Sequence, residues 1–383
     1  MPEIMIDVNG WQGLFDFVEG DPITGEGAYL ELPKEICARH PYPGDLNKAA
    51  IPWVTDIALE VSNKYSPNLM VLSYATGNLM RVNSKLSASE KKKLAKYTLS
   101  EAYRFAEQSG YEPIIVSTGN MKPIDNVLSL DGIEGYLSVS ADPYMAGIFG
   151  AGEHDYDYVK TIEGITCETK ESFLDRFNIS DAYAVERTPD IVLYSDGIAA
   201  FTNTGGRGTT LEAMHTDEDF CFAAAEFEDL PDSIFDFRAY VDSLLNDGHK
   251  IAVIIAESID EEDMPKGSKR MTKIRNGIHY TENVIFYYAL LNGVEFNSEG
   301  TAYIFHNPFL KRPTKKRYPY SYIKTDKYQS PIGYNRSFKT ASVGTRSGIL
   351  HSATMSDYSF ECHCRGLAES GLLVFINEKK LSV

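Results

Sequence analysis

The residues with most chemistry to offer stand in short polar stretches that follow apolar runs. Thr76-Gly77-Asn78 and Thr118-Gly119-Asn120 occupy matching places after the runs Asn68 to Ser73 and Glu112 to Ser117. Their hydroxyls, amides and backbone N–H groups could hold an anion at one rim of a sheet. The same residues also make tight turns after strands, because Gly and Asn tolerate the left-handed backbone region. Thr204-Gly205-Gly206-Arg207-Gly208-Thr209-Thr210-Leu211-Glu212 is the most distinctive stretch. Its glycines would let the backbone approach a phosphate or carboxylate, and Arg207 would add a bidentate contact. A glycine-rich surface loop has the same composition. The stretch is neither a P-loop nor a dinucleotide fingerprint, since the glycine spacing is wrong and no Gly-Lys-Ser/Thr follows.

His215 with Asp217 and Asp219, and His154 between Glu153 and Asp155, carry oxygen and nitrogen ligands of the kind metals take. Neither has a further ligand at a recognised metal spacing, so no metal or other cofactor is expected. In Cys362-His363-Cys364 an alternating strand would put both cysteines on the face of Phe360 and His363 on the other. They read as two buried, small apolar residues rather than half of a zinc site. There is no Gly-x-Ser-x-Gly elbow, His-Glu-x-x-His pair or close Cys and His signature, so no catalytic residue is assigned.

The elements that must position these groups are legible. Residues 51 to 65 place Val54, Ile57, Ala58 and Val61 on one helical face. Ser87-Ala88-Ser89-Glu90 is a capping-box pattern, and Leu94, Tyr97, Ala102 and Phe105 continue a helical stripe to Gly110. The flanking runs, 68 to 73 and 112 to 117, read as strands buried on both faces, and strand, helix, strand in that order predicts a right-handed parallel unit. Further runs at 135 to 140, 190 to 195 and 250 to 256 extend the pattern, the fourth ending at Asp196. The fold expected is α/β, a mostly parallel sheet flanked by helices, with ligands outside the C-terminal strand ends. After about residue 260 the chain becomes Tyr-rich, Pro-rich and basic. One helix near 282 to 291 and alternating segments at 303 to 306 and 358 to 364 predict a smaller β-rich C-terminal part. The expected organisation is therefore 1–255 and 256–383.

Composition bounds the partners. The net charge of −17 disfavours nucleic acid and anionic membranes over most of the surface. Residues 307–339 depart from this, with nine basic residues against Asp326 alone, so the other 350 residues carry −25. Aromatic residues interleave in this segment and could stack on single-stranded nucleic acid, but an acidic protein partner or the protein's own acidic surface fits the charge better. Five scattered cysteines argue for a reducing compartment, and the chain shows neither a signal-peptide pattern nor the ~20 consecutive apolar residues that span a bilayer. A cytoplasmic protein is expected.

The order of elements from Ile51 to His215 resembles the alkaline phosphatase superfamily, in particular its nucleotide pyrophosphatase and phosphodiesterase branch. Pro52-Trp53-Val54-Thr55-Asp56 leading to Tyr65-Ser66-Pro67-Asn68-Leu69-Met70-Val71-Leu72 is similar to that family's helix and following strand. Ile114-Ile115-Val116-Ser117-Thr118-Gly119-Asn120-Met121 resembles its strand ending in Ser-Asp-His-Gly-Met. Pro189-Asp190-Ile191-Val192-Leu193 resembles a later strand, and Gly205-Gly206-Arg207-Gly208 its Gly-x-His-Gly element. The resemblance implies a phosphoester hydrolase with two metal ions, an activated Thr or Ser, and Asp and His ligands. At the matching places stand Thr118 and Gly119 for an Asp-His pair and Arg207 for a His, no Asp and His pair follows Leu72, and the family's opening strand and nucleophile turn are missing from the first fifty residues.

Three readings follow. The first is a metal-free, non-hydrolytic relative that binds an anionic small molecule or a protein partner, with Asn78, Thr118, Asn120, Asp196, Arg207 and His215 as its ligand set. The second is a structural or assembly subunit, such as a homo-oligomer, docking through the basic arm 307–339. The third is a metal-dependent phosphodiesterase or phosphatase with relocated ligands drawn from His154, Asp196, His215 and Asp217.

Overall fold

In a computed structural model, the structure describes residues 3–7, 13–16, 28–124, 126–139, 144–180, 182–195, 199–201, 212–214, 219–275, 278–280, 283–293, 309, 338–345, 349–364 and 370–377. The continuous apolar runs become the centre of the molecule. Leu69–Tyr74 and Ile251–Ala256 are buried at every position, and Glu112–Ser117 is buried from Ile114 onward. The three are parallel neighbours, with Val253 opposite both Val71 and Ile114. Thr340–Gly344 joins the free side of Leu69–Tyr74 in parallel, and Tyr358–Cys364 follows it, also in parallel.

These five strands form the core of a ten-stranded sheet. Phe220–Ala225 and Lys269–Thr272 extend it antiparallel on one side. Ser370–Asn377, Glu3–Asp7 and Gly13–Asp16 do so on the other. The fold is mixed α/β, as the runs predict. From the expected β-rich C-terminal part, Lys269–Thr272, Thr340–Gly344, Tyr358–Cys364 and Ser370–Asn377 join this same sheet, so chain on both sides of residue 255 contributes to one layer, while Ile274–Arg275 and Ile278–His279 pair by themselves.

Helices cover both faces. On one, Ala50–Tyr65 and Ala88–Ser109 bring Val54, Ile57, Leu94 and Phe105 onto Met70, Leu72, Ile254 and Val343. On the other, Phe237–Asn246, Asn283–Asn292 and Ile349–Thr354 pack Val241, Phe286, Leu290 and Leu350 against Leu69, Val71, Val253 and Ile255. Burying each of these large apolar side chains contributes ~1.5–3 kcal/mol, and this is what fixes the two layers on the sheet.

Two expected strands go elsewhere. The runs at 135 to 140 and 190 to 195, predicted for the open parallel sheet, form Tyr136–Val139 and Ile191–Ser195 of a separate four-stranded sheet. Their partners there are Met145–Phe149 and Ile165–Thr169, and all pairings are antiparallel. An apolar run announces burial on both faces but not its neighbour. Tyr136–Val139 and Met145–Phe149 are joined by only five residues, which suits an antiparallel hairpin and is too short for a parallel crossover. The strand expected at 303 to 306 lies outside the described residues. Among the described residues no helix is long and apolar enough to cross a membrane.

Candidate ligand site at the strand ends

The chain leaves two adjacent parallel strands toward opposite faces. After Leu69–Tyr74 it enters the helices Thr76–Asn83 and Ala88–Ser109, whose apolar residues join the core on the first face. After Thr340–Gly344 it reaches Ile349–Thr354 on the second. Outside the C-terminal strand ends at such a switch, where a crevice would form, is the usual ligand position in open α/β sheets.

The helix Thr76–Asn83 starts at this crevice without a cap. Its N-cap residue is Ala75, in the right-handed helical region, with no side-chain hydrogen bond to the first turn. The first amides of a helix lack intrahelical acceptors and carry the positive end of the helix dipole. The Ala75 N–H donates to Thr345 Oγ1 at 3.2 Å, which ties the helix start to the end of the neighbouring strand. Thr76 is 1% exposed, and its Oγ1 has no hydrogen-bond partner among the described residues. Gly77 keeps the first turn narrow, because a Cβ there would stand 3.1 Å from the Glu257 carbonyl oxygen.

Three of the six expected ligand residues meet at this rim, through one loop. Asn78 Nδ2 donates to Ser258 Oγ at 2.9 Å, the Ser258 N–H donates to Thr118 Oγ1 at 3.0 Å, and the Glu261 N–H donates to Asn120 Oδ1 at 2.8 Å. Ser117 Oγ adds a hydrogen bond to the Ile259 carbonyl. These side chains fasten the segment after Ile251–Ala256 across the strand ends. The two Thr-Gly-Asn stretches are not equivalent, however. The first opens a helix, whereas the second is a turn in which Gly119 takes φ +112°, and a Cβ there would lie 2.7 Å from the Phe220 carbonyl and 2.8 Å from Lys273 Nζ. Asp196, Arg207, His215 and Asp217 lie outside the described residues.

The structure adds residues that sequence reasoning missed. Arg81, 4% exposed, donates from Nε to Glu212 Oε2 (2.7 Å), from Nη1 to Ser258 O (3.0 Å) and Asp260 Oδ1 (2.9 Å), and from Nη2 to Met121 O (3.0 Å). Glu212 also pairs with Lys91. Tyr287 OH donates to Glu257 Oε1 at 2.7 Å and lies 2.5 Å from Ser73 Oγ, a buried polar chain across two strand ends. Lys273 is fully buried and donates from Nζ to the Thr118 carbonyl at 3.0 Å. Burial pushes the nearby Cys221 thiol up to about 12, with Lys273 acting in the opposite sense. At the outer edge the Arg270 hydrogen bond holds the Glu261 carboxyl below its ordinary value, while burial raises that of Asp263. No local motif marks Arg81, whose acceptors are 40 to 179 positions away.

Metal chemistry of the kind the resemblance implies does not fit residues 118–119. The Thr118 hydroxyl is engaged by the Ser258 amide, and Gly119 has no side chain to offer. Among the described residues no three His, Cys, Asp or Glu side chains gather as a metal-holding cluster. His154 is exposed, with Nε2 3.2 Å from the Gly132 carbonyl and its ring stacked near Tyr158. Cys362 is buried in the core beside Phe360, as the strand alternation predicts. Around the helix start the rim offers N–H and O–H groups among buried charged side chains, Arg81, Lys273, Glu212 and Glu257. No protein-family model matches the chain, and no curated protein sequence matches it significantly.

Proposed function

We propose that this protein binds a small anionic molecule without hydrolysing it, on an alkaline phosphatase-like layout whose metal chemistry is absent. The observation that carries this reading is the departure of the chain from Leu69–Tyr74 and Thr340–Gly344 to opposite faces, with an uncapped helix start between them. The N–H and O–H donors at that place would select a negatively charged group through the helix dipole and hydrogen bonds, with no metal required. Calorimetric titration of EDTA-treated protein with phosphate, sulfate, acetate and a p-nitrophenyl phosphodiester tests it. Saturable binding of one equivalent of at least one anion, with no p-nitrophenol released, is the expected result. Absence of binding across the panel defeats the reading. So does p-nitrophenol release with added zinc or manganese that His215→Ala abolishes, which would establish a hydrolase with relocated ligands.

A second reading gains support from how the basic segment is anchored. Phe309 packs edge-on against Tyr136 with ring centroids 4.7 Å apart, and Lys339 exchanges hydrogen bonds with Asn68 through its N–H (3.0 Å) and carbonyl (2.7 Å). Residues 310–337 lie outside the described residues. A segment of this charge held at both ends favours docking on an acidic partner chain. Self-association or partner capture that weakens with salt and disappears when 310–337 are deleted is the expected outcome; indifference to the deletion eliminates it.

A further inference from the structure

The crevice has one place where a ligand's charge would be received, and it is not among the groups that hold the strand-end loop together. Asn78, Thr118, Asn120 and Arg81 are engaged in bonds across that loop. The start of the helix Thr76–Asn83 differs in four respects. Its N-cap is alanine, a residue that offers the first-turn amides nothing. Its first residue carries a hydroxyl, 1% exposed, that meets no donor or acceptor among the described residues. Its second residue is Gly77, which lets the first turn pack directly on the Glu257 backbone, whose carbonyl oxygen would stand 3.1 Å from a Cβ there. Finally, the Thr345 hydroxyl accepts from the Ala75 N–H, which leaves its own proton to be donated.

A buried hydroxyl without a partner is destabilising in the unliganded protein and becomes favourable only when something accepts its proton. The first-turn amides have the same need. Building on the ligand-binding reading above, we infer that the helix start at Thr76 is an oxyanion seat, where a carboxylate or phosphoryl group accepts hydrogen bonds from Thr76 Oγ1, Thr345 Oγ1 and the first-turn amides. Glu257 forms the adjacent wall with its backbone carbonyl, and its carboxylate accepts from Tyr287 OH. The recognition is thus made by neutral donors and helix polarity, and it takes the charged end of a small organic acid or phosphoester rather than the body of the molecule.

The test titrates wild type, Thr76→Val and Thr76→Ser with inorganic phosphate and, separately, with acetate, and records the Tm of each unliganded protein. Valine keeps the shape and removes the hydroxyl. The expected result is about tenfold or more weaker binding of the preferred anion by Thr76→Val, since a hydrogen bond to a charged group is lost. Its unliganded Tm should be unchanged or higher, and Thr76→Ser should bind within about threefold of wild type, the hydroxyl being retained. The stronger of the two titrations identifies the ligand group as phosphoryl or carboxylate. Equal binding by wild type and Thr76→Val overturns the seat while leaving an anion elsewhere in the crevice. A loss that Thr76→Ser does not recover also overturns it. If wild type binds neither anion, the seat falls, and the reading beneath it falls with it only if sulfate and the p-nitrophenyl phosphodiester also fail to bind.

Discussion

Two consecutive helices of this chain begin in opposite ways. Ala88–Ser109 opens on a complete capping box, in which Ser87 Oγ accepts from the Glu90 N–H and the Glu90 carboxylate accepts from the Ser87 N–H. Twelve residues earlier Thr76–Asn83 opens on alanine, with a buried hydroxyl that has no partner among the described residues. The first is closed by its own side chains on the protein surface. The second starts at the centre of the sheet's C-terminal edge and is held by Arg81 near its far end, which reaches four acceptors on three other segments. The second helix is thus fastened near its C-terminal end by Arg81 and not by a side-chain cap at its start, which is where the proposed seat lies.

This contrast can be broken most forcefully at Arg81. Replacing it with methionine leaves Glu212 and Asp260 without their shared cation, and the expected loss is about 3–5 kcal/mol in urea unfolding, the usual result of breaking a buried ion pair. A loss under about 1 kcal/mol would mean that the short helix is held by packing instead. Ser87→Ala should cost the long helix about 1 kcal/mol by the same measurement, because one cap is lost from an exposed start. Thr76→Val should go the other way, stabilising by up to about 1 kcal/mol as an unsatisfied buried hydroxyl is removed. If Val at 76 destabilises as Ala at 87 does, the two helix starts are alike and the comparison collapses.

The smallest expected effect is on pH. Hydrogen bonds from the Ser87 side chain and backbone hold the Glu90 carboxyl below its ordinary value. A depressed carboxylate contributes stability that is fully present above its unfolded pKa and is lost as pH falls through the lower, folded one. The difference between wild type and Ser87→Ala should therefore narrow in acid, over that window, whereas Thr76→Val should differ from wild type by the same amount throughout.

Much of the fold was legible because it rests on local regularities. The stripe of Leu94, Ala102 and Phe105 between Ser87 and Gly110, and the uninterrupted runs at 69–74 and 251–256, specify helix and buried strand without knowledge of their neighbours. Which strand pairs with which was not legible, and Ile191–Ser195 shows why. Its composition suits a central parallel strand, yet it pairs antiparallel with Met145–Phe149 and Ile165–Thr169 in a separate sheet. The site divides in the same way. The repeated Thr-Gly-Asn stretches correctly mark strand ends, but only the structure separates the three side chains that tie a loop from the Thr76 hydroxyl, which has no partner among the described residues. Arg81 and Tyr287 meet acceptors supplied by distant parts of the chain, so nothing nearby in sequence announces them.

The pairing of Thr340–Gly344 with Leu69–Tyr74 has a consequence in time. Asn68 and Lys339, which meet at the start of that pairing, are 271 positions apart in the chain. At a ribosomal pace of roughly 5–20 residues per second, an emerging strand 69–74 waits on the order of tens of seconds for the neighbour that covers one of its edges. Until then the edge of a strand that ends up buried at every position stands open to the wrong partner, and its protection during synthesis falls to whatever transiently shields it.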